Sequence, residues 1–357
     1  MSLPEAIPGP ADGSLLDEIR EQPAALRRLL SHEDGFARVA ALARDRGRPL
    51  VRMVGHGSSD NAASYGVYAF GLLPGWTAIR DSISLTVYYD AEIEHRDSLV
   101  LALSQSGQTR DVVEYVRRAR DRGALTVAIT NEEDSELARA AEETLPLAAG
   151  REQSIAATKT YVNQVASLAL LAAHAAGRGP EFAAGIRRAA DDIEEALPGL
   201  EARIPQVAVP FAFVGRMFVI GRGPEFATAR EIALKLLETC RIAAEPLTAT
   251  ALAHGPVAAL DALFPVWAIA SHDKNLDTVR EATERVRAAG AAVVATGGAA
   301  AEIPGAAYRL PTPEPATPLL SPLLSVVPGQ LFAWALARAK GLDPDHPTGL
   351  AKVTLAR

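Results

Sequence analysis

One stretch of the sequence, Val100 to Val113, decides the fold: it is V-L-A-L-S-Q-S-G-Q-T-R-D-V-V. An apolar run, Val100 to Leu103, stops at polar residues, and helical spacing of apolar residues begins at Asp111, which predicts a strand, a tight turn and a helix start. Such a turn gathers hydroxyls and backbone N–H groups at the positive end of a helix, where a phosphate binds without a metal. On this stretch alone, an ordinary loop whose Ser and Thr cap the helix is an equally good interpretation.

Outward from this stretch, strands and helices alternate along the chain. Strands are predicted at residues 52–55, 83–88, 100–103, 126–130 and 144–147. Helices are predicted at residues 15–30 with a break near Pro23, and at 36–46, 62–70, 111–122 and 135–141. Residues 158–203 are helical in pattern, with Pro180 and Pro198 expected to divide them. This alternation predicts a parallel sheet with helices on both faces.

The second half of the sequence repeats the first. Residues 217–224 (M-F-V-I-G-R-G-P) match residues 52–59 (R-M-V-G-H-G-S-S), and residues 266–278 take the place of 100–111. The copies are offset by about 167 residues, which predicts two related α/β domains. The second copy carries Asp273 in the turn where an anion would bind, so a phosphate is expected in the first copy.

The domain organisation expected from these patterns has five parts. They are a flexible N-terminus at residues 1–14, a first domain at 15–180 that binds phosphate, a helical connector at 181–204, a second domain at 205–340 and a C-terminal tail at 341–357. Each domain is expected to be a parallel sheet flanked by helices, doubly wound in three layers.

Composition restricts the class of protein. A net charge of -7 argues against nucleic-acid binding, and a single cysteine, Cys240, excludes a disulfide framework and indicates a reducing, cytoplasmic setting. No histidine pairs with carboxylates at metal-site spacing, so no metal and no cofactor are expected. The N-terminus lacks the pattern of a signal peptide, and the apolar run at 165–176 is too short to cross a bilayer, so no membrane partner is expected.

Two turns of the first copy carry hydroxyl groups: Ser58 and Ser59 in one, and Ser104, Ser106 and Thr109 in the other. In a parallel sheet both lie at the carboxyl ends of strands, where ligands bind. The converging hydroxyls favour a phosphoryl ligand, with solvated turns as the alternative.

Three charged residues of the second copy, Glu231, Lys235 and Glu238, share one helix face at i, i+4 and i+7. Spacing alone favours a solvated salt-bridge stripe. His254 precedes Gly-Pro and is expected in a loop, where an imidazole can move protons near neutral pH, although a lone loop histidine is more often incidental. Lys352 would ordinarily be a surface residue, unless the tail folds over the cleft and presents its amine to a carbonyl.

Seven motifs then occur together in one order. They are G-H-G-S-S at 55–59, L-S-Q-S-G-Q-T at 103–109, A-A-T-K at 156–159, G-R-G at 221–223, A-L-K-L-L-E-T at 233–239, A-H-G-P at 253–256 and L-A-K-V-T at 350–354. With them the chain resembles the sugar isomerase (SIS) family over residues 15–357. The resemblance is closest to the isomerase portion of glucosamine-6-phosphate synthases and to stand-alone glucosamine-6-phosphate deaminases.

The resemblance implies a tandem pair of SIS domains, a homodimer and a sugar 6-phosphate substrate. It implies that Glu238 moves a proton between C1 and C2, that His254 opens the sugar ring from the neighbouring subunit, and that Lys352 contacts the open-chain carbonyl or forms a Schiff base. The implied substrate and phosphate contacts are Ser58, Ser59, Ser104, Gln105, Ser106, Thr109, Ala156 and Lys235.

One departure from the synthases shapes the expected reaction. Only about 14 residues precede the shared region, so no glutaminase is expected, and the first hypothesis is hydrolytic deamination of glucosamine 6-phosphate to fructose 6-phosphate and ammonia. Ala243 stands where the synthases carry histidine, which puts the exact sugar in doubt. A deglycase or an isomerase for another ketose or amino-sugar 6-phosphate is the alternative. A non-catalytic sugar-phosphate sensor is another, although the presence of Glu238, His254 and Lys352 together argues for an enzyme.

Overall fold

Two parallel five-stranded sheets organise the chain in the computed structural model, which describes residues 14–47, 50–350 and 352. The first sheet contains β1 Leu50–Val54, β2 Ala78–Arg80, β3 Ser98–Ser104, β4 Leu125–Thr130 and β5 Glu143–Pro146. The second contains β6 Arg216–Gly221, β7 Ala243–Thr248, β8 Pro265–Ile269, β9 Ala292–Gly297 and β10 Tyr308–Pro311.

Strand order confirms the internal repeat. The first sheet runs β2-β1-β3-β4-β5 and the second runs β7-β6-β8-β9-β10, which is the same order counted from each sheet's own first strand. All neighbouring strands pair in parallel. The predicted fold class, two tandem α/β domains with doubly wound parallel sheets, is therefore confirmed.

Twelve helices flank the sheets in the described part of the chain. They are α1 Leu15–Arg20, α2 Gln22–Leu30, α3 Glu33–Asp45, α4 Ser58–Leu72, α5 Ile83–Val87, α6 Arg110–Asp121, α7 Glu136–Ala140, α8 Lys159–Ala175, α9 Gly179–Ala208, α10 Glu225–Cys240, α11 Leu276–Ala288 and α12 Ser321–Ala339. One apolar core joins the facing sides of both sheets through α4, α8, α9, α10 and α12. Smaller clusters cover the outer faces, beneath α6 on the first sheet and beneath α11 on the second.

Within the described residues, one helical segment, Pro318–Ala339, is long and apolar enough to cross a membrane by length and composition. Its most apolar window is 94% buried inside the protein. Since α9 and α10 pack against it, this is a core helix of the kind found in soluble proteins. The sequence prediction considered only the shorter apolar run at 165–176, which forms the end of α8 and its C-cap residue.

The predicted strand at 83–88 is wrong, because these residues form the short helix α5. Ser82 caps the helix, its Oγ accepting the backbone N–H of Leu85 at 3.4 Å. Ile83 and Thr86, one turn apart, are the buried positions. The strand beside β1 at this edge of the sheet is β2 instead. The apolar alternation at 83–88 therefore does not indicate a strand.

The prediction that Pro198 divides the 158–203 stretch is also wrong. Pro180 does mark a boundary, since it lies in the first turn of α9, but α9 continues for 30 residues through Pro198 and Pro205. A proline in a helix costs about 3 kcal/mol. Helix α9 packs against α2, α8 and α12, and its buried apolar face offsets that cost.

Two predicted segments fall largely outside the described residues. The N-terminal segment, 1–14, is described only at Ser14, whose Oγ accepts the backbone N–H of Asp17 at 3.3 Å and caps α1. The C-terminal tail, 341–357, is described at 341–350 and at Lys352.

Candidate functional site

A cavity of about 430 Å³ opens at the carboxyl ends of the first sheet's strands, between the sheet, α10 and the C-terminal tail. We call it the site cavity. Its lining consists of His56, Gly57, Ser58, Ser59, Leu103, Ser104, Gln105, Ser106, Thr109, Asp111, Glu152, Ile155, Ala157, Thr160, Gln164, Glu238, Leu350 and Lys352. Both hydroxyl-bearing turns, Glu238 and Lys352 therefore face one space, although they come from distant parts of the sequence.

The turn at residues 104–109, the serine turn, links β3 to α6 as the sequence predicted. Ser104 Oγ accepts the N–H of Gly107 at 3.1 Å and lies 3.4 Å from Thr109 Oγ1, while Ser106 Oγ accepts the N–H of Gln108 at 3.3 Å. These bonds fix the hydroxyls around the N-terminus of the 12-residue helix α6. The positive end of that helix favours an anion in the adjoining space.

Gly107 explains why the serine turn is so tight. Its φ of +62° lies in the left-handed region, which glycine adopts without strain. A Cβ at this position would lie 2.1 Å from Ser135 Oγ at the start of α7. The glycine therefore lets the turn pack directly against α7.

The second hydroxyl turn connects the first sheet to α10. Ser58 Oγ donates to Glu231 Oε1 at 2.9 Å, and Ser59 Oγ accepts from Gln164 Nε2 at 2.9 Å. Lys235 Nζ also donates to Ser58 Oγ at 3.3 Å. The wall of the site cavity is thus held by hydrogen bonds that join the two halves of the chain.

The charged face of α10 is buried, so the sequence interpretation of a solvated stripe is wrong. Glu231 and Lys235 are almost fully buried, and Lys235 Nζ lies 3.3 Å from Glu231 Oε1 and 2.6 Å from Glu238 Oε2. Burial raises the pKa of Glu231, and the nearby Lys235 limits that rise. Burial alone would lower the pKa of Lys235, but the two carboxylates outweigh it and raise the pKa above its usual value.

Glu238 is the member of this face that reaches the site cavity. Its side chain is 19% exposed, with Oε2 paired to Lys235 beneath it. A carboxylate paired with a buried cation and open to a ligand is suited to accept a proton. Lys235 itself lies beneath the cavity lining, so the structure gives it an indirect position rather than a ligand contact.

Lys352 brings the described part of the tail onto the cavity. Its Nζ lies 2.9 Å from Glu152 Oε2 and donates to the carbonyl of Ser154 at 2.5 Å. Glu152 also accepts the backbone N–H groups of Thr158 and Thr160 at 3.0 and 3.2 Å. Burial would raise the pKa of Glu152, but Lys352 and these donors hold it below its usual value.

Besides Lys235, two predicted site residues do not line the site cavity in this chain. The side chain of Ala156 is fully buried in the apolar core, and its neighbours Ile155 and Ala157 are the residues that line the cavity. His254 ends a short 3-10 turn, Ala251–His254, and is exposed to solvent. Its predicted role at a neighbouring subunit's site stays a prediction.

Sequence reasoning missed several polar residues of the cavity. They are His56, Asp111, Glu152, Thr160 and Gln164. Each lies within or close to a motif that was recognised, so proximity to those motifs was the available signal. Only tertiary structure shows that their side chains turn toward the same cavity.

A buried carboxyl beneath the 152–154 segment predicts a pH effect on stability. Glu18 Oε1 accepts the N–H of Ser154 at 3.1 Å, while Oε2 is buried without a hydrogen-bond partner among the described residues. Burial, assisted by the nearby Glu152, raises the pKa of Glu18 from 4.5 to about 7. The folded protein then holds a proton between these pH values that the unfolded chain has lost, so stability falls as pH rises through this range.

A Glu18→Gln variant has no such proton to lose. Its free energy of unfolding relative to the parent is expected to increase between pH 5 and pH 8, by at most on the order of 3 kcal/mol. Urea denaturation at unit pH steps measures this difference. Glu133→Gln, at an exposed turn position, is the control and should show none. Parallel pH profiles for Glu18→Gln and the parent would contradict the assignment.

Comparison with known proteins places this geometry in a family. The profile of the SIS domain matches residues 50–174 and 211–339. Glutamine–fructose-6-phosphate aminotransferase (isomerizing) of Methanothermobacter thermautotrophicus is 36% identical over 349 residues, which cover 96% of this chain and 58% of that relative. The chain thus spans little more than half the length of this curated relative.

Two solved structures have the same architecture. The C-terminal domain of glucosamine-fructose-6-phosphate aminotransferase from Francisella tularensis matches with a TM-score of 0.86 and 26% identity, over 93% of this chain and 98% of that one. Glucosamine-6-phosphate deaminase from Thermotoga maritima matches with a TM-score of 0.74 and 23% identity, over 95% and 99% of the two chains. The latter supports the fold alone. With matches to both domains and the repeated sheets, this chain belongs to the SIS domain family.

Proposed function

We propose that the site cavity binds an amino-sugar 6-phosphate, and that the protein converts glucosamine 6-phosphate and water to fructose 6-phosphate and ammonia. The observation that carries this proposal is the position of Glu238, whose carboxylate opens onto the same cavity as the serine turn. One end of the cavity offers hydroxyls and a helix N-terminus, and the other offers a base. A phosphorylated sugar has the matching polarity.

The serine turn and Ser58–Ser59 supply the phosphate end of the site. Neutral hydroxyls and the N-terminus of α6 hold an anion and fix the orientation of the sugar. Phosphate binding at these turns contributes positioning rather than bond chemistry. This role requires no metal.

Glu238 supplies the proton transfer. In the open-chain form of the substrate, with its amine neutral, the carboxylate removes the proton from C2, and the C2–H electron pair forms the C1–C2 double bond. The π pair of the C1 carbonyl moves to its oxygen, which takes a proton from Lys352 to give an enolamine; that proton returns to Lys352 when the carbon–nitrogen double bond formed later is hydrolysed. The same carboxyl returns the proton to C1, which leaves a carbon–nitrogen double bond at C2. Water adds to that bond and ammonia leaves, giving the ketose. Lys235, 2.6 Å from Glu238 Oε2, pairs with the carboxylate from beneath the cavity lining.

Lys352 and His254 complete the proposed machinery. The ammonium of Lys352, paired with Glu152, is placed to donate to the open-chain carbonyl oxygen at C1. Formation of a Schiff base would require that ion pair to give up a proton first. A second copy of the chain would bring the exposed His254 to the cavity for ring opening, which makes the active form a homodimer.

The position of Cys240 argues against the use of glutamine as an ammonia donor by these 357 residues. It therefore supports a reaction that releases ammonia. Cys240 is the one cysteine in the sequence, it is fully buried, and its Sγ donates to the carbonyl of Ala333 at 3.1 Å. Burial raises the pKa of its thiol to about 11, which makes it a poor nucleophile. A lone buried thiol also agrees with a reducing, cytoplasmic location.

The test is a panel of substrates scored for two products. Purified protein should release ammonia and fructose 6-phosphate from glucosamine 6-phosphate in equal amounts, and should not act on glucosamine. Glucose 6-phosphate and a fructosamine 6-phosphate are included in the panel. Turnover of either in preference to glucosamine 6-phosphate would replace the deaminase with an isomerase or a deglycase. Binding without turnover of any of them would indicate a sugar-phosphate sensor.

A further inference from the structure

His56 lies in the site cavity, yet neither the proton transfer nor the serine turn uses it. It follows β1 and precedes Gly57, whose φ of +56° turns the chain into α4. Its Nε2 lies 2.9 Å from Asp111 Oδ2, and the side chain is 55% exposed. Within the described residues Nδ1 has no hydrogen-bond partner. One ring nitrogen is therefore held by a carboxylate while the other is left for a ligand.

Asp111 places a negative charge next to the proposed anion site, and His56 is positioned to counter that charge. Asp111 lies in the first turn of α6, next to the serine turn, with Oδ1 accepting the N–H of Val112 at 2.9 Å. Its side chain is only 12% exposed. A carboxylate so close to a phosphate repels it. A protonated imidazole bridging to Asp111 removes that repulsion and adds a cation.

The remaining charges of the cavity make this cation important. Asp111, Glu152 and Glu238 are acidic, and Lys352 is the only lysine or arginine among the lining residues. Lys352 is already paired with Glu152, and Glu238 is paired with Lys235 beneath the lining. A charged His56 therefore lowers the net negative charge that a dianionic ligand meets in the cavity.

We propose that His56, held by Asp111, is a phosphate-recognition residue that binds the ligand in its imidazolium form, so that ligand binding takes up a proton. The inference rests on the proposed sugar-phosphate site and adds to it the residue that selects the phosphate. Since histidine titrates near neutral pH, a dianion arriving beside it shifts the ring toward the charged form. The uptake accompanies binding and needs no catalytic step.

Calorimetry with sorbitol 6-phosphate tests the proposal, because this open-chain sugar phosphate lacks the carbonyl needed for turnover. Binding is measured at pH 7.5 in two buffers of different ionisation enthalpy. The parent protein should take up a fraction of a proton per site. His56→Gln should take up none and should bind about tenfold more weakly. His272→Gln, which removes another carboxylate-paired histidine outside the site cavity, is the control and should bind as the parent does.

A double variant separates an electrostatic role from a structural one. If His56 acts by countering Asp111, then adding Asp111→Asn to His56→Gln should restore most of the lost affinity without restoring proton uptake. A structural role for the pair predicts further weakening instead. Tight binding by His56→Gln, or binding by the parent without proton uptake, would overturn the inference and leave the sugar-phosphate site intact. Failure of the parent to bind sorbitol 6-phosphate would overturn both.

Discussion

A Glu238→Gln variant is expected to bind sugar phosphate as the parent does and to lose about 10²–10⁴-fold in kcat. The amide has nearly the shape of the carboxylate but cannot accept a proton from carbon. Lys235 keeps Glu231 Oε1 at 3.3 Å and Ser58 Oγ at 3.3 Å as partners, so the fold should tolerate the change. The loss should therefore appear in kcat and leave ligand affinity unchanged.

Two measurements check this expectation. Ammonia release from glucosamine 6-phosphate gives kcat, and incorporation of deuterium from solvent at C1 of the ketose product reports the proton transfer itself. Both should fall together in Glu238→Gln. Glu245→Gln changes an exposed glutamate on β7 and should leave both rates at the parent's level. If Glu238→Gln retains deuterium exchange at the parent's rate, another group is the base.

The parts of the fold that were predictable from sequence are those where local pattern and tertiary environment agree. Residues 98–104 are buried along their whole length, so a continuous apolar run was a reliable signal of a central parallel strand. Because the second half repeats the first, the repeat alone was enough to predict a central parallel strand there as well. The turn after β3 was predictable because a glycine among hydroxyl residues, between an apolar run and a helical pattern, is typical of a strand-to-helix turn.

The failures occurred where the surrounding protein outweighs a local rule. The 83–88 segment alternates like a strand, but β2 already occupies the sheet edge and Ser82 caps a helix. Pro198 ordinarily breaks a helix, but packing along α9 outweighs that preference. Neither environment can be deduced from neighbouring residues.

The candidate site shows the same limit. The motifs predicted the two hydroxyl turns, Glu238 and Lys352, because each matches a short local pattern. Spacing on α10 could not reveal burial, since α4 provides the cover over Glu231 and Lys235. The pairing of His56 with Asp111 joins two turns that are distant in sequence. These two residues come together only because β1 and β3 are neighbouring strands of the sheet.

The buried charge cluster of α10 leads to the second large expectation: a Lys235→Met variant should lose about 3–5 kcal/mol of stability. Glu231 is completely buried, with Ser58 donating to Oε1 and Asn61 to Oε2, each at 2.9 Å. These two hydrogen bonds satisfy its oxygens but do not neutralise its charge. Methionine fills the space of the lysine stem and leaves that carboxylate without a cation, which is the costly case for a buried ion pair.

The stability that Lys235→Met loses should increase as pH rises. Burial already raises the pKa of Glu231, and removal of Lys235 should raise it further. A protonated Glu231 carries no charge to bury, so Lys235→Met should be least destabilised at pH 5. As pH rises toward 8, the unfolded chain gives up this proton more readily than the folded chain does, and the deficit in stability should grow.

Urea denaturation of three variants at pH 5 and pH 8 tests this account of the cluster. Lys274→Met, an exposed lysine on the second half, is the matched control and should change stability by less than about 0.5 kcal/mol. Adding Glu231→Gln to Lys235→Met removes the orphaned charge while an amide oxygen remains to accept from Ser58, so much of the loss and its pH dependence should disappear. If the double variant is as unstable as Lys235→Met, the lysine stabilises the protein through packing of its stem.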